Sequence, residues 1–225
     1  ALSGAITIDT TAPTAPTLAL TADTNNTSDG ITSDATVDVT GIEANATWEY
    51  SVNNGTSWTT GTGSSFEVPE GTYADGHIQV RQTDVAGNIS TVGALSGAIT
   101  IDTTAPTAPT LTAVADTDNS DFDQGFTVTE GSDVVVTVDG TALNSTELAA
   151  KFTKSTASGL DTYTAKAAAF TGSETITVDA TITDTADNQS TAATQLTLQD
   201  VDTTAPAAFA IFTDGVLDNV GLYQF

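Results

Sequence analysis

Oxygen-bearing side chains dominate the chemistry that this sequence offers. Its 225 residues hold 29 Asp and Glu against four Lys and Arg, a formal net charge of −25. The aspartates recur in register. The pentapeptide DTTAP begins at Asp9, Asp102 and Asp202, so its copies start 93 and 100 residues apart. A T-D-x-A-x-N segment precedes two of them, with Asp84 and Asn88 in one and Asp184 and Asn188 in the other. Each of these aspartates lies 18 residues ahead of the next DTTAP aspartate. Asp23 and Asp116 each follow their own DTTAP aspartate by 14 residues, with Asp29 near the first and Asp121 and Asp123 near the second. Ionised carboxylates that crowd together repel one another unless a cation sits among them. Aspartate, asparagine and backbone carbonyl oxygens are the hard ligands that calcium takes, whereas magnesium demands stricter octahedral geometry and holds its water. Zinc would draw on His or Cys, and the chain has only His77 and no cysteine. The repeating spacing points to Ca2+. The competing reading is that these aspartates solvate loops and cap turns. The stretch DTDNSDFD at 116–123 is no EF-hand, because Asp121 stands where that loop needs glycine and Thr127 where it needs the bidentate glutamate.

Other chemistries have little to work with. A chain this acidic repels nucleic acid and anionic membrane surfaces. Its basic residues, Arg81, Lys151, Lys154 and Lys166, form no cluster along the sequence. No run of 18 apolar residues is long enough to span a bilayer, and without cysteine there are no disulfides or thiolate nucleophiles. Triad chemistry would have to use His77, and no G-x-S-x-G elbow accompanies it. No glycine-rich loop ends in lysine. Glycosidase chemistry needs only two carboxylates, but the acids here keep to loops in phase with the DTTAP copies. The expectation is a protein that is not an enzyme. Trp48 and Trp58 could form a sugar-stacking platform. The plainer reading places Trp48 in a core and Trp58 over a hairpin.

The elements that must hold these loops are short strands. Threonine, β-branched and strand-favouring, occurs 47 times. ALSGAITIDTTAPTAPTL stands at 1–18 and again, identically, at 94–111. Intervals of this size suit one small sandwich each. The expected fold class is therefore all-β, with tandem immunoglobulin-like β-sandwich domains. Residues 1–9 read as the last strand of a preceding repeat, 10–102 as domain 1, 103–202 as domain 2 and 203–225 as the incomplete start of a following repeat. With no methionine anywhere, the chain reads as a fragment or a processed product. Alternation of period two marks Val37 with Val39, Trp48 with Tyr50 and Val52, Phe66 with Val68, Ile78 with Val80, and Ile99 with Ile101. In the second domain it marks Val134, Val136 and Val138, then Ile176, Val178 and Ile182, then Leu196 and Leu198. Asn53-Asn54-Gly55 predicts a hairpin turn, and Tyr73 stands where a tyrosine corner would, the competing reading being a half-buried tyrosine on a loop. Asn144-Ser145-Thr146-Glu147 has the form of a capping box and predicts a short inserted helix at about 145–153. On this plan three acidic segments converge between the domains: Asp23/Asp29, Asp102, and Asp184/Asn188.

The residues also carry a family resemblance. GIEANATWEYSVNNGTSW at 41–58, GTYADGHIQVRQTDVAGNIS at 71–90 and ITIDTTAP at 99–106 resemble the bacterial immunoglobulin-like repeats of giant secreted surface adhesins, the repeats-in-toxin-type, biofilm-associated adhesins of Gram-negative bacteria. TVDGTALNSTELAAKFTKS and ETITVDATITDTADNQS resemble a sister variant. The resemblance covers nearly all of 1–203. It implies extender domains outside the cell, on the bacterial surface, that form a monomeric rod with calcium at its linkers. The partners would be neighbouring repeats of the same chain, with no nucleic acid and no direct membrane contact. Carried over, the metal ligands would be Asp9, Asp102 and Asp202 at the linkers, Asp84 with Asn88 and Asp184 with Asn188, and the loop acids Asp23, Asp29, Asp116, Asp121 and Asp123. After the third DTTAP the pattern departs: Val216 takes the 14-residue position, between Asp214 and Asp218. The alternative function is a module that itself binds a glycan or cell surface.

Overall fold

The computed structural model describes residues 6–114, 124–171 and 173–198. Over these residues the chain is all-β with one short helix, and its strands form five sheets. The first part holds β1 (Thr17–Leu20), β2 (Ile31–Thr32), β3 (Thr36–Thr40), β4 (Thr47–Ser51), β5 (Thr59–Thr60), β6 (Ser65–Glu67), β7 (Gly71–Tyr73), β8 (Gln79–Thr83), β9 (Gly93–Ala94) and β10 (Ile99–Ile101). The second part holds β11 (Leu111–Val114), β12 (Gly125–Thr129), β13 (Asp133–Val138), β14 (Thr141–Ala142), α1 (Ser145–Lys151), β15 (Phe152–Ala157), β16 (Leu160–Ala165), β17 (Ile176–Thr181) and β18 (Leu196–Leu198).

Two separate cores follow from the alternation. In the first part the sheets run β1-β3-β6, β2-β10-β7 and β5-β4-β8-β9. Val37, Val39, Trp48, Val80, Ile99 and Ile101 turn from them into one buried cluster. In the second part β11-β12-β16-β15 and β14-β13-β17-β18 bring Phe126, Val128, Tyr163, Val136, Ile176 and Val178 into another. Each such side chain contributes about 1.5–3 kcal/mol when fully buried. Ile182 lies past the end of β17, and Ala180 takes the buried place beside Val178. Among the described residues no helix is long and apolar enough to cross a membrane.

Several local expectations have visible causes. Asn54 and Gly55 both take the left-handed conformation, at φ 56° and 76°, and turn β4 into β5. The Trp48 ring packs over Gly61, where a Cβ would stand 2.2 Å from the ring, so that position has room only for glycine. Tyr73 donates its hydroxyl to the Pro69 carbonyl at 2.7 Å and fixes the corner before β7. Asn144 caps α1: its Oδ1 accepts from the Thr146 and Glu147 amides, and Glu147 accepts from the Asn144 amide at 2.9 Å.

One expectation needs correction. The helix ends at Lys151 rather than 153, because Phe152 adopts extended dihedrals, pairs with Ala165 as the first residue of β15 and fills the second core. Residues 6–9, expected to close a preceding repeat, carry no strand among the described residues, which include no such repeat. Ile6 and Ile8 are 69% and 84% exposed. Their counterparts Ile99 and Ile101 sit between β2 and β7, and no such pair of strands is offered to 6–9 among the described residues.

Candidate metal centre

The two T-D-x-A-x-N segments fold alike, as their shared residues dictate. In each the aspartate amide donates to the asparagine carbonyl at 3.0 Å, closing a five-residue loop at the end of a strand. Asp84 accepts the Asn88 amide at 2.8 Å on Oδ1 and the Asn88 side-chain amide at 2.8 Å on Oδ2. Asp184 accepts the same pair from Asn188 at 2.9 and 3.0 Å, and the Ala186 amide at 2.9 Å. The Asn88 side chain and the surrounding amides hold the Asp84 carboxyl below the usual carboxylate range. Burial pushes the Asp184 carboxyl up, and the bonds from Asn188 and Ala186 more than offset it, so it too lies below that range.

Each loop then reaches back to a linker. The Asn88 side-chain amide donates to the Asp9 carbonyl at 3.2 Å, and that of Asn188 to the Asp102 carbonyl at 2.8 Å. The two linker aspartates also match. Asp9 accepts the Thr11 amide and Asp102 the Thr104 amide, both at 3.0 Å. These are Asx turns, favoured wherever a short carboxylate can reach a backbone amide two residues on.

Between the two cores a third segment joins them. The loop after β1 carries Thr24, whose hydroxyl donates to the Ala186 carbonyl at 2.5 Å, and Asn25, whose side chain donates to the Thr185 carbonyl at 3.3 Å. Ala186 is fully buried, while Ala86 in the matching loop is exposed. Asp23 lies in the same loop. Its Oδ2 accepts the Gly30 amide at 3.3 Å, but its Oδ1 is buried without any hydrogen-bond partner. A buried, unpaired carboxylate oxygen is costly in the absence of a partner. Asp29 points into solvent and caps the Ile31 amide at 2.9 Å.

Asp23, Asp102, Asp184 and Asn188 thus belong to three segments that meet, directly or through a neighbouring residue, at one junction. Asp9, Asp84 and Asn88 form the matching half-junction at the upstream end of the first part. Asp116, Asp121, Asp123 and Asp202 lie outside the described residues. Among the described residues no three acidic or histidine side chains gather closely enough to cage an ion by themselves.

The chain matches no protein-family model and no curated protein.

Thr24, Asn25 and Gln82 escaped the sequence reading. Gln82 is fully buried on β8. Its amide donates to the Thr14 and Gly41 carbonyls at 2.7 and 2.9 Å and accepts the Glu43 amide at 2.8 Å, tying the linker to the first core. Close by, Gly93 lets β9 approach so near that a Cβ would stand 1.8 Å from the Pro16 carbonyl oxygen. Single polar residues of this kind carry no periodic signal. Only the identical flanking repeat at 1–18 hinted that something must receive it.

Proposed function

We propose that the chain is a structural spacer, two immunoglobulin-like sandwiches of a bacterial surface adhesin, with calcium bound where they join. The observation that carries the calcium is the buried, unpartnered Oδ1 of Asp23. It lies in the loop whose next two residues touch the Ala186 and Thr185 carbonyls. The donor set suits calcium in kind, since every candidate atom is a hard oxygen. Asp23 would be a charged ligand, with other carboxylate oxygens, backbone carbonyls and water completing the shell. When bound, calcium would supply the positive charge that a −25 chain lacks. It would stabilise the joined state by mass action.

The rival reading, a sugar-binding module, loses support at Trp58. The Arg81 guanidinium lies 4.2 Å from its ring centre and is itself paired with Glu49 at 2.9 Å, so one ring face is already taken.

Calcium titration followed by calorimetry and native mass spectrometry tests the proposal. The parent should bind calcium and melt higher with it, and Asp23→Asn should lose about tenfold or more in affinity at this junction. Equal calcium affinity in parent and Asp23→Asn would sink the assignment.

A further inference from the structure

The linker is also held by a residue that none of the repeating motifs contains. β7 pairs antiparallel with β10 as far as Gly71 opposite Ile101, and Glu70 and Asp102 are the next residues outward at that end of the ladder. The corner that carries Glu70 is pinned by the Tyr73 hydroxyl on Pro69. Glu70 Oε2 accepts the hydroxyls of both linker threonines, Thr103 at 3.0 Å and Thr104 at 2.8 Å. On the other side of the linker the Asp102 amide donates to the Thr32 carbonyl at 3.0 Å. The Asp102 carbonyl is taken by Asn188 of the second part.

We infer that Glu70 is a positioning residue that locks the Asp102-Thr103-Thr104 linker to the first sandwich without any metal. Hydrogen bonds to an ionised acceptor are stronger than neutral ones. Two on one oxygen fix the direction in which the chain leaves β10. Asn188 then grips the same three-residue stretch from the far side. The linker is thus clamped by protein groups from both parts, and calcium would add to an arrangement already set. The inference rests on the spacer reading only for what the lock is for.

The chain's lack of cysteine makes a clean test possible. Nitroxides are placed through Thr62→Cys in the first part and Ala150→Cys in the second, both exposed positions. The distance distribution between them is then measured by pulsed electron resonance in chelator. Glu70→Ala should broaden it, with a roughly fivefold rise in the released population, the order expected for one net hydrogen bond. The Thr103→Val/Thr104→Val double variant should broaden it equally with no change in the melting of the first part, which separates loss of the lock from loss of fold. Glu70→Gln should fall between, since its amide oxygen still accepts. Unchanged widths in Glu70→Ala and in the threonine double variant would overturn the lock. Adding calcium to the parent reads the other proposal independently: a parent indifferent to calcium beside a broadened Glu70→Ala keeps the lock and removes the metal.

Discussion

The same thirteen residues, ITIDTTAPTAPTL, occur at 6–18 and at 99–111, and the structure puts them in two settings. In the second copy Ile99 and Ile101 are 5% and 1% exposed, in a strand between β2 and β7. In the first copy the matching isoleucines face solvent and form no strand. What stays constant is one local turn and one long-range contact. Both aspartates close an Asx turn at 3.0 Å, and both give their carbonyl to the asparagine of a T-D-x-A-x-N loop. Turn chemistry therefore travels with the sequence, because the groups that satisfy it lie two residues away. Strand formation does not travel, because its hydrogen bonds and its burial come from other segments.

Three experiments press on this comparison. The largest contrast should come from one substitution made twice. Ile101→Ala removes a side chain from the first core and should cost about 3 kcal/mol in denaturant unfolding. Ile8→Ala, in the same local sequence, should stay within about 0.5 kcal/mol. Similar losses at both sites would mean that residues 6–9 are packed in solution.

A somewhat smaller effect is expected at Gln82, which receives the first copy at Thr14. Gln82→Ala strands two carbonyls and an amide and should cost the first part about 2–3 kcal/mol. The second part carries Ile182 at the matching position, so its own calorimetric transition should not move. A common shift of both transitions would show that the two cores unfold as one.

The smallest effect tests what the copies share. Asp84 and Asp184 both have carboxyl groups held below the usual range, with burial opposing the effect more strongly at Asp184. A carboxylate with a depressed folded-state pKa adds stability that is fully present above its unfolded value. That stability is lost as pH falls through the folded one. Carbon-detected NMR of the two carboxyls should show both loops releasing their linker carbonyls together in acid, at a pH below the ordinary aspartate range. If either group titrates at or above the ordinary value, the two loops are not equivalent.

Much of the fold could be read directly. Val37 with Val39, and Ile99 with Ile101, alternate against polar neighbours because one face of each strand is buried. The cap on α1 was legible because Asn144 and Glu147 act on each other within a single turn. The end of α1 was not. Leu148 and Phe152 have helical spacing, but pairing with Ala165 and burial in the core draw Phe152 into β15. The meeting of the loop at 22–32 with the loop at 184–188 was expected from the sandwich plan laid over the repeat phase. The atoms that join them, the Thr24 hydroxyl and two backbone carbonyls, leave no pattern in a chain so rich in threonine.

β1 and β10 are the strands by which the linkers enter and leave the first core. β1 runs from the Asp9 side toward the loop that touches Ala186, and β10 runs toward Asp102, so the two point the same way. A load drawn along the chain would pull β1 back past β3 and β10 forward past β2 and β7. It would meet the rungs of both ladders side by side, as shear, and not one after another as in a peeling hairpin. For a molecule stretched between two anchored ends, that arrangement spreads the force before any single bond has to yield.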